Sequence, residues 1–321
     1  MLQCSILEVI KPAKQRAEAE MIRVLYWCVA AVLLGLLAFG FTGRWLEAGD
    51  SLAVVRGPLA LIALVWLAAG RWLTQVPWAM IAVVAATFVP VAWASVRPEA
   101  SASAGLSLYQ KNMLHRIGPL AKLEADIRNA SPDVLTLQEV TDKNKALLAG
   151  LQDILPYQHF CPFKRVGGVA VASQWPVIVG TQMCEHGLAA MQVESPEGPV
   201  WLSSVHWHWP WPYGQRRQAE RLAQTLEQKD GTHIVGGDFN IVPWSYTMRQ
   251  FERRTGTERA GRSRPTFPEF SLPIDHVLVP KGWGGSTTRR PLAGSDHYGL
   301  LVRFDSGKGS ASRISRQSAQ P

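Results

Sequence analysis

Residues 233–240 read HIVGGDFN. A short apolar run, HIVG, has strand character and passes directly into a Gly-Asp turn. Polar residues at strand ends are how a rigid α/β scaffold presents side chains to a ligand. Outward from this stretch the same pattern recurs. Residues 106–113 read as a strand carrying Asn112 near its end, and residues 133–140 (DVLTLQEV) as a strand carrying Glu139. Residues 200–205 lead into His206. Asp275 sits in PIDHVLV, and Asp296-His297 precede the apolar residues 299–304.

The intervening segments supply the rest of the fold. Leu120, Leu123 and Ile127 recur at helical spacing within 119–129, as do Ala219, Leu222, Ala223 and Leu226 within 215–228. Residues 143–155 also read as a helix. Residues 168–173, 177–179, 187–193 and 274–279 complete the strands. Short turns between neighbouring strands predict antiparallel pairing. Strands and helices mix without strict βαβ alternation, so the expected architecture is a layered α/β sandwich, sheets inside and helices outside.

The 321 residues divide by charge. Residues 1–104 hold eight Lys/Arg and six Asp/Glu, whereas residues 105–321 hold 25 and 19. The second part is long enough to bury a core without disulfide support. Its net charge of +6 favours an anionic partner without naming one. Cys28 lies in an apolar run. Cys161 and Cys184 either pair in an oxidising compartment or stay as buried thiols.

Residues 24–42 and 76–96 are uncharged runs of nineteen and twenty-one residues. At about 1.5 Å per residue each spans a hydrocarbon core of roughly 30 Å. Residues 57–70 are apolar but reach spanning length only with residues 52–56, where Arg56 is expected to snorkel. Three spans are therefore expected. Lys11, Lys14, Arg16 and Arg23 put the positive excess on the N-terminal side, making that side cytoplasmic. Three spans then carry the remaining domain across; two return it to the cytoplasm. The expected division is a tail at 1–23, a membrane region at 24–96, a linker at 97–105, a catalytic domain at 106–304 and a disordered tail at 305–321.

Each polar residue named above has an ordinary structural reading as a cap, turn former or solvated group. The ordered set N…LQEV…VH…GGDFN…IDHVLV…SDH is more specific. It resembles the endonuclease/exonuclease/phosphatase superfamily, over about residues 105–304. The apolar helices lie outside that pattern; they are similar to the N-terminal membrane region of a bacterial subgroup. The resemblance implies a DNase I-like four-layer α/β sandwich that hydrolyses a phosphoester by metal-assisted attack of water, with Mg²⁺ or Mn²⁺ as cofactor. It implies Glu139 as metal ligand with Asn112 and Asp296 beside it. His297 would be the active-site histidine and Asp275 its hydrogen-bond partner. Asp238 or His297 would activate the water, Asn240 would contact the phosphate or hold that water, and His206 would assist at the phosphate or leaving group. Two departures stand out. FCPFKRVGG (160–168) holds no carboxylate to pair with His206, and the acidic or polar residue usual shortly after the first Asn does not stand out in NMLHRIG.

Substrate class stays open among nucleic acid, a phospholipid headgroup and a small phosphoester. Alternation in VHWHWPWPYG (205–214) would place Trp207, Trp209 and Trp211 on one strand face, as a stacking platform, an interfacial belt or core. Residues 249–264 hold six Arg and two Glu and could approach an anionic substrate or stay a solvated face. A nuclease is the rival enzyme reading; a non-catalytic membrane sensor is the rival outside enzymes. A degenerate member should lack one of Glu139, Asp238, Asp296 or His297, and all four are present. The expected placement is multi-pass in a bacterial inner membrane, with the domain periplasmic and the bilayer its partner.

Overall fold

The computed structural model describes residues 2–99, 105–164 and 166–305. Most of the expected linker and of the C-terminal tail lies outside the described residues. The chain forms two compact units, Met1–Ala92 and Trp93–Pro321.

The first unit is helical: α1 (Leu2–Phe39), α2 (Glu47–Val54), α3 (Arg56–Thr74) and α4 (Trp78–Ala86), with α5 (Val89–Val96) continuing past it. The expected N-terminal tail is part of α1. Small residues Ala30, Ala60 and Ala63 are buried, and Tyr26 stacks on Trp66 with centroids 5.4 Å apart. Outward faces stay apolar, with Val32, Leu61, Ile62, Val65 and Val83 exposed. Gln15–Phe39 and Trp78–Val96 are long and apolar enough to cross a membrane. The middle run does so only if α2 and α3 count as one span across a 69° bend. Arg56 does not snorkel: it is buried, donates to Gly40 O at 2.5 Å and lies over the Phe41 ring.

The second unit stacks two six-stranded sheets. Its elements are β1 (Leu106–Asn112), α6 (Ala121–Ala130), β2 (Val134–Val140), α7 (Ala146–Gly150), β3 (Tyr157–Lys164), β4 (Gly167–Ser173), β5 (Met183–Glu185), β6 (Leu188–Ser195), β7 (Gly198–His206), α8 (Gln215–Glu227), β8 (Thr232–Asp238), α9 (Tyr246–Arg254), β9 (Thr257–Arg259), β10 (Asp275–Pro280), β11 (Gly284–Arg290) and β12 (Gly299–Asp305). The sheet orders are β11-β12-β1-β2-β4-β3 and β5-β6-β7-β8-β10-β9. Among the described residues each contains one parallel pair, β1 with β2 and β7 with β8, crossed over by α6 and α8; the other pairings are antiparallel. The mixed two-sheet sandwich expected from the sequence is therefore present.

One core lies between the sheets and includes Leu108, Val134, Val171, Met191, Leu202, Ile234 and Val302. A second lies under α6, where Leu123 and Ile127 meet Tyr109, Leu135 and Leu301. Leu108 and Tyr109 thus face opposite ways and are both fully buried, which is why these strands read as continuous apolar runs.

Several local expectations are corrected. Residues 143–155 hold only the short α7 and turns, and 177–179 contribute one isolated bridge, Val177 to Val193. β8 carries the Gly-Asp pair inside the strand; a Cβ on Gly237 would meet Val205 O at 2.2 Å, so β7 and β8 approach closely only because it is glycine. β7 ends at His206, so the Trp alternation fails: Trp207 is buried, while Trp209 and Trp211 are exposed. Three arginines of 249–264 are held in bonds within the fold: Arg259 pairs with Glu252 at 2.7 Å, Arg262 Nε donates to Arg97 O at 2.9 Å, and Arg264 Nη2 donates to Glu99 at 3.2 Å. Cys161 and Cys184 are disulfide-bonded, joining β3 to β5.

Candidate active site

The strand register assembles the site. Parallel pairing sets Asn112 opposite Gln138, beside Glu139, in one sheet, and His206 opposite Asp238 in the other. Antiparallel β10 begins at Asp275, also opposite Asp238. The turn before β12 brings Ser295, Asp296 and His297 to the same edge. All are at strand ends, where α/β sheets place ligand sites.

Glu139 sits in a β-bulge between Gln138 and Val140 with φ +58°. Such a bulge re-aims one side chain out of the alternation. Its Oε2 accepts from His115 N at 2.7 Å and meets His115 Nδ1 at 2.9 Å; its Oε1 accepts from Asn112 Nδ2 at 3.2 Å. Burial raises the Glu139 pKa, but the His115 bonds outweigh it and leave the carboxyl below its usual range.

Asn112 Nδ2 also donates to Asp238 Oδ2 at 2.9 Å, so this amide bridges the carboxylates of the two sheets. Its Oδ1 accepts from Leu114 N at 3.0 Å. Asp238 Oδ1 accepts from Asn240 N at 2.9 Å, and His206 Nε2 lies 3.6 Å from Oδ2. Asn240, at φ +49°, is pinned by donating to Trp207 O at 2.9 Å. Left-handed backbone at a non-glycine costs about 1–3 kcal/mol and persists where neighbours over-determine it. Burial first, and the Asp275 charge second, push the Asp238 pKa up to about 7.

Asp275 Oδ2 meets His297 Nδ1 at 2.8 Å, and its Oδ1 accepts from Gln110 Nε2 at 3.0 Å. Burial opposes charge on His297, yet Asp275 and Asp238 win and raise its pKa to about 10. The same pairing overcomes burial at Asp275 and lowers its pKa. Lys111, wholly buried, donates to Leu292 O at 2.8 Å and to His297 O, anchoring the loop that carries Asp296 and His297. Burial lowers its pKa to about 8.

A cleft of about 540 Å³ opens over this edge, lined by Glu139, His206, Asp238, Asn240, Asp296 and His297. Asn112 and Asp275 stand behind it. Phe163, Trp209, Tyr213 and Phe267 form its aromatic walls. Phe163 lies 5.5 Å from His206 by ring centroids, in the segment where the sequence offered no carboxylate. Phe267 packs on Trp209 at 6.3 Å and on His297 at 5.2 Å. Among the described residues, no arginine of 249–264 lines the cleft.

All eight residues singled out from sequence thus gather within or directly behind one cleft. His115, Gln110, Lys111, Phe163 and Phe267 escaped sequence reasoning. For His115 the only signal in the sequence is its position shortly after Asn112, where the resemblance leads one to expect an acidic or polar residue. The donor set of Glu139 and Asp296 is hard oxygen at an open cleft. That suits a divalent cation of the Mg²⁺ kind, which takes few protein carboxylates and keeps its waters.

Known proteins bear on this arrangement. Residues 110–297 match the Endonuclease/Exonuclease/phosphatase family model. Comparison with curated protein sequences finds no match. Among solved structures, an endonuclease/exonuclease/phosphatase family protein from Leptotrichia buccalis aligns at TM-score 0.51 and 14% identity, covering 62% of this chain and 99% of its own. The human Nocturnin catalytic domain with bound sulfate aligns at 0.51 and 17%, covering 65% and 96%. TDP2 from C. elegans aligns at 0.50 and 16%, covering 70% and 84%. At these identities the likeness establishes the fold. The cleft and the family match together define a phosphoester hydrolase. The chain belongs to the endonuclease/exonuclease/phosphatase family.

Proposed function

We propose that the protein is a membrane-held, divalent-metal-dependent phosphoesterase acting on a phosphoester with a flat or apolar substituent. The convergence of Glu139, His206, Asp238, Asp296 and His297 on one cleft carries this reading. Glu139 and Asp296 would hold Mg²⁺ or Mn²⁺, with His115 and Asn112 orienting Glu139. When bound, the cation supplies positive charge against the phosphate oxygens. With Nδ1 engaged by Asp275, His297 offers Nε2 to the phosphate, and its charge is kept by two carboxylates. Asp238 takes the proton from the attacking water as the new phosphorus–oxygen bond forms. The ester oxygen leaves with a proton from His206. Asn240 and Asn112 hold Asp238 in place. The test is turnover by the full chain in nanodiscs over plasmid DNA, RNA, phospholipids and inositol phosphates, with Mg²⁺ or EDTA. Metal-independent turnover, or none on any phosphoester, would defeat the proposal.

The aromatic walls favour the flat or apolar substituent. Base or ring stacking on one aromatic side chain contributes ~1–3 kcal/mol. Trp209→Ala is expected to raise KM roughly tenfold with kcat within about twofold. A fall in kcat at constant KM would assign Trp209 to the chemistry instead.

The disulfide bears on the compartment, because such bonds persist in oxidising surroundings. Together with the basic N-terminal side it favours an odd number of spans, α2 and α3 acting as one broken span. In intact cells, Cys161 and Cys184 are expected to resist maleimide until a reductant is added. Ready alkylation without reductant would put the domain in the cytoplasm.

A further inference from the structure

A second concavity, about 560 Å³, lies between α8 and α9 and shares no lining residue with the catalytic cleft. It falls in the range of small-ligand sites, about 300–1,000 Å³. Its floor includes Ala219, Ala223 and Phe251. Ala219 and Ala223 are one turn apart on the buried side of α8, and their small side chains leave the space open. Four guanidinium groups line the groove, from Arg216, Arg217, Arg221 and Arg254, against one carboxylate, Glu220.

This charge is poorly explained by the fold. Arg217 and Arg221 are four apart on one helix face, where like charges repel. Neither has a hydrogen-bond or ion-pair partner among the described residues. Arg254 reaches across from α9, donating to Glu220 O at 3.3 Å and pairing with Glu227 at 2.7 Å. Arg216 lies over the Tyr246 ring, 5.4 Å from its centroid. Part of the arginine-rich stretch seen in the sequence ends here, away from the arginines that brace Glu99 and Glu252.

Guanidinium is planar, always charged and matched to the oxygen pairs of a phosphate group. We propose that the α8–α9 groove is a second anion site that takes a phosphate-bearing ligand, either a free phosphate compound or the headgroup phosphate of an anionic lipid. The site does not depend on the catalytic reading. It is connected to the catalytic edge, however, because other side chains of α8 brace that edge. Gln215 Nε2 donates to Phe239 O at 3.1 Å, and Gln218 Nε2 donates to His206 O at 3.0 Å. A ligand that stiffens α8 therefore stiffens the carbonyls beside Asp238 and His206.

The experiment is hydrogen exchange of the full chain in phosphatidylcholine nanodiscs with EDTA. One arm adds inorganic phosphate against sodium chloride of equal ionic strength. The other replaces a third of the lipid by phosphatidylglycerol without free phosphate. Exchange in α8 and α9 is expected to slow by the factor 1 + [L]/Kd, about tenfold at ten times Kd. Protection in the first arm identifies a free anion as ligand; protection in the second alone identifies a headgroup. Arg217→Gln/Arg221→Gln is expected to abolish it, while Asp238→Asn keeps it. Protection in neither arm, or full protection in the double variant, overturns the proposal.

Discussion

Asp238→Asn is expected to lower kcat by about 10³-fold and, at the same time, to stabilise the metal-free protein above neutral pH. The two effects share one cause. Asp238 is fully buried beside Asp275, and its pKa in the folded chain rises from the ordinary carboxylate value to about 7. The folded state therefore binds this proton more tightly than the unfolded state does. The resulting stability is complete below about pH 4 and is lost as pH rises through about 7. An amide does not titrate, so the variant escapes that loss. Its advantage should grow between pH 4 and pH 7 and level off at ~1–3 kcal/mol, several degrees in Tm. Thermal melts in EDTA across this range measure it. A constant difference between variant and parent would mean that Asp238 is ionised without penalty.

The second large effect is expected at the His297–Asp275 pair. His297→Gln removes the cation and the ring nitrogen left for the phosphate, and should cost ~10³-fold in kcat/KM. Asp275→Asn should cost at least about 10²-fold although the side chain stands behind the cleft. An amide at that position holds the ring with less force and no longer stabilises its charge. His297 is also a stability element with a defined window. Its pKa is raised to about 10, so its contribution is full below about pH 6.5 and is lost as pH climbs to about 10. His297→Gln should therefore cost most stability at neutral and acidic pH. Steady-state kinetics and melts on the same preparations test both. Near-parental kcat/KM in either variant would remove the pair from the mechanism.

What a sequence reveals of this site follows from what each signal encodes. Asn112, Glu139, His206, Asp238, Asp275 and His297 are legible because polar residues interrupt apolar strands at their ends. Period-2 and apolar-run patterns report strand ends well. The role of His115 is not legible: it depends on the bulge at Glu139, and a single bulged residue leaves no periodic trace. Lys111 reads as an ordinary polar residue in a strand, and only the turn at Pro291–His297 shows why a buried ammonium is tolerated. The tryptophans of 205–214 mislead because alternation cannot be extended past the end of β7. Charge composition in 249–264 does not reveal that Arg259 and Arg264 have carboxylate partners, because one of these, Glu99, lies far away in sequence. Arg56 is misread for the same reason, its acceptor being the Gly40 carbonyl of another segment.

The order of strands has a temporal consequence. β12, the last of the described strands in chain order, lies between β11 and β1, the first strand of its sheet. The sheet bearing Asn112 and Glu139 therefore stays incomplete while the chain is being synthesised, and the turn bearing His297 is the last part of the cleft to arrive. A nascent fragment that stops short of β12 lacks the strand that ties the turn bearing Asp296 and His297 to β1. On the proposed reading, activity is expected to appear only once β12 has docked against β1, so its onset would report that docking.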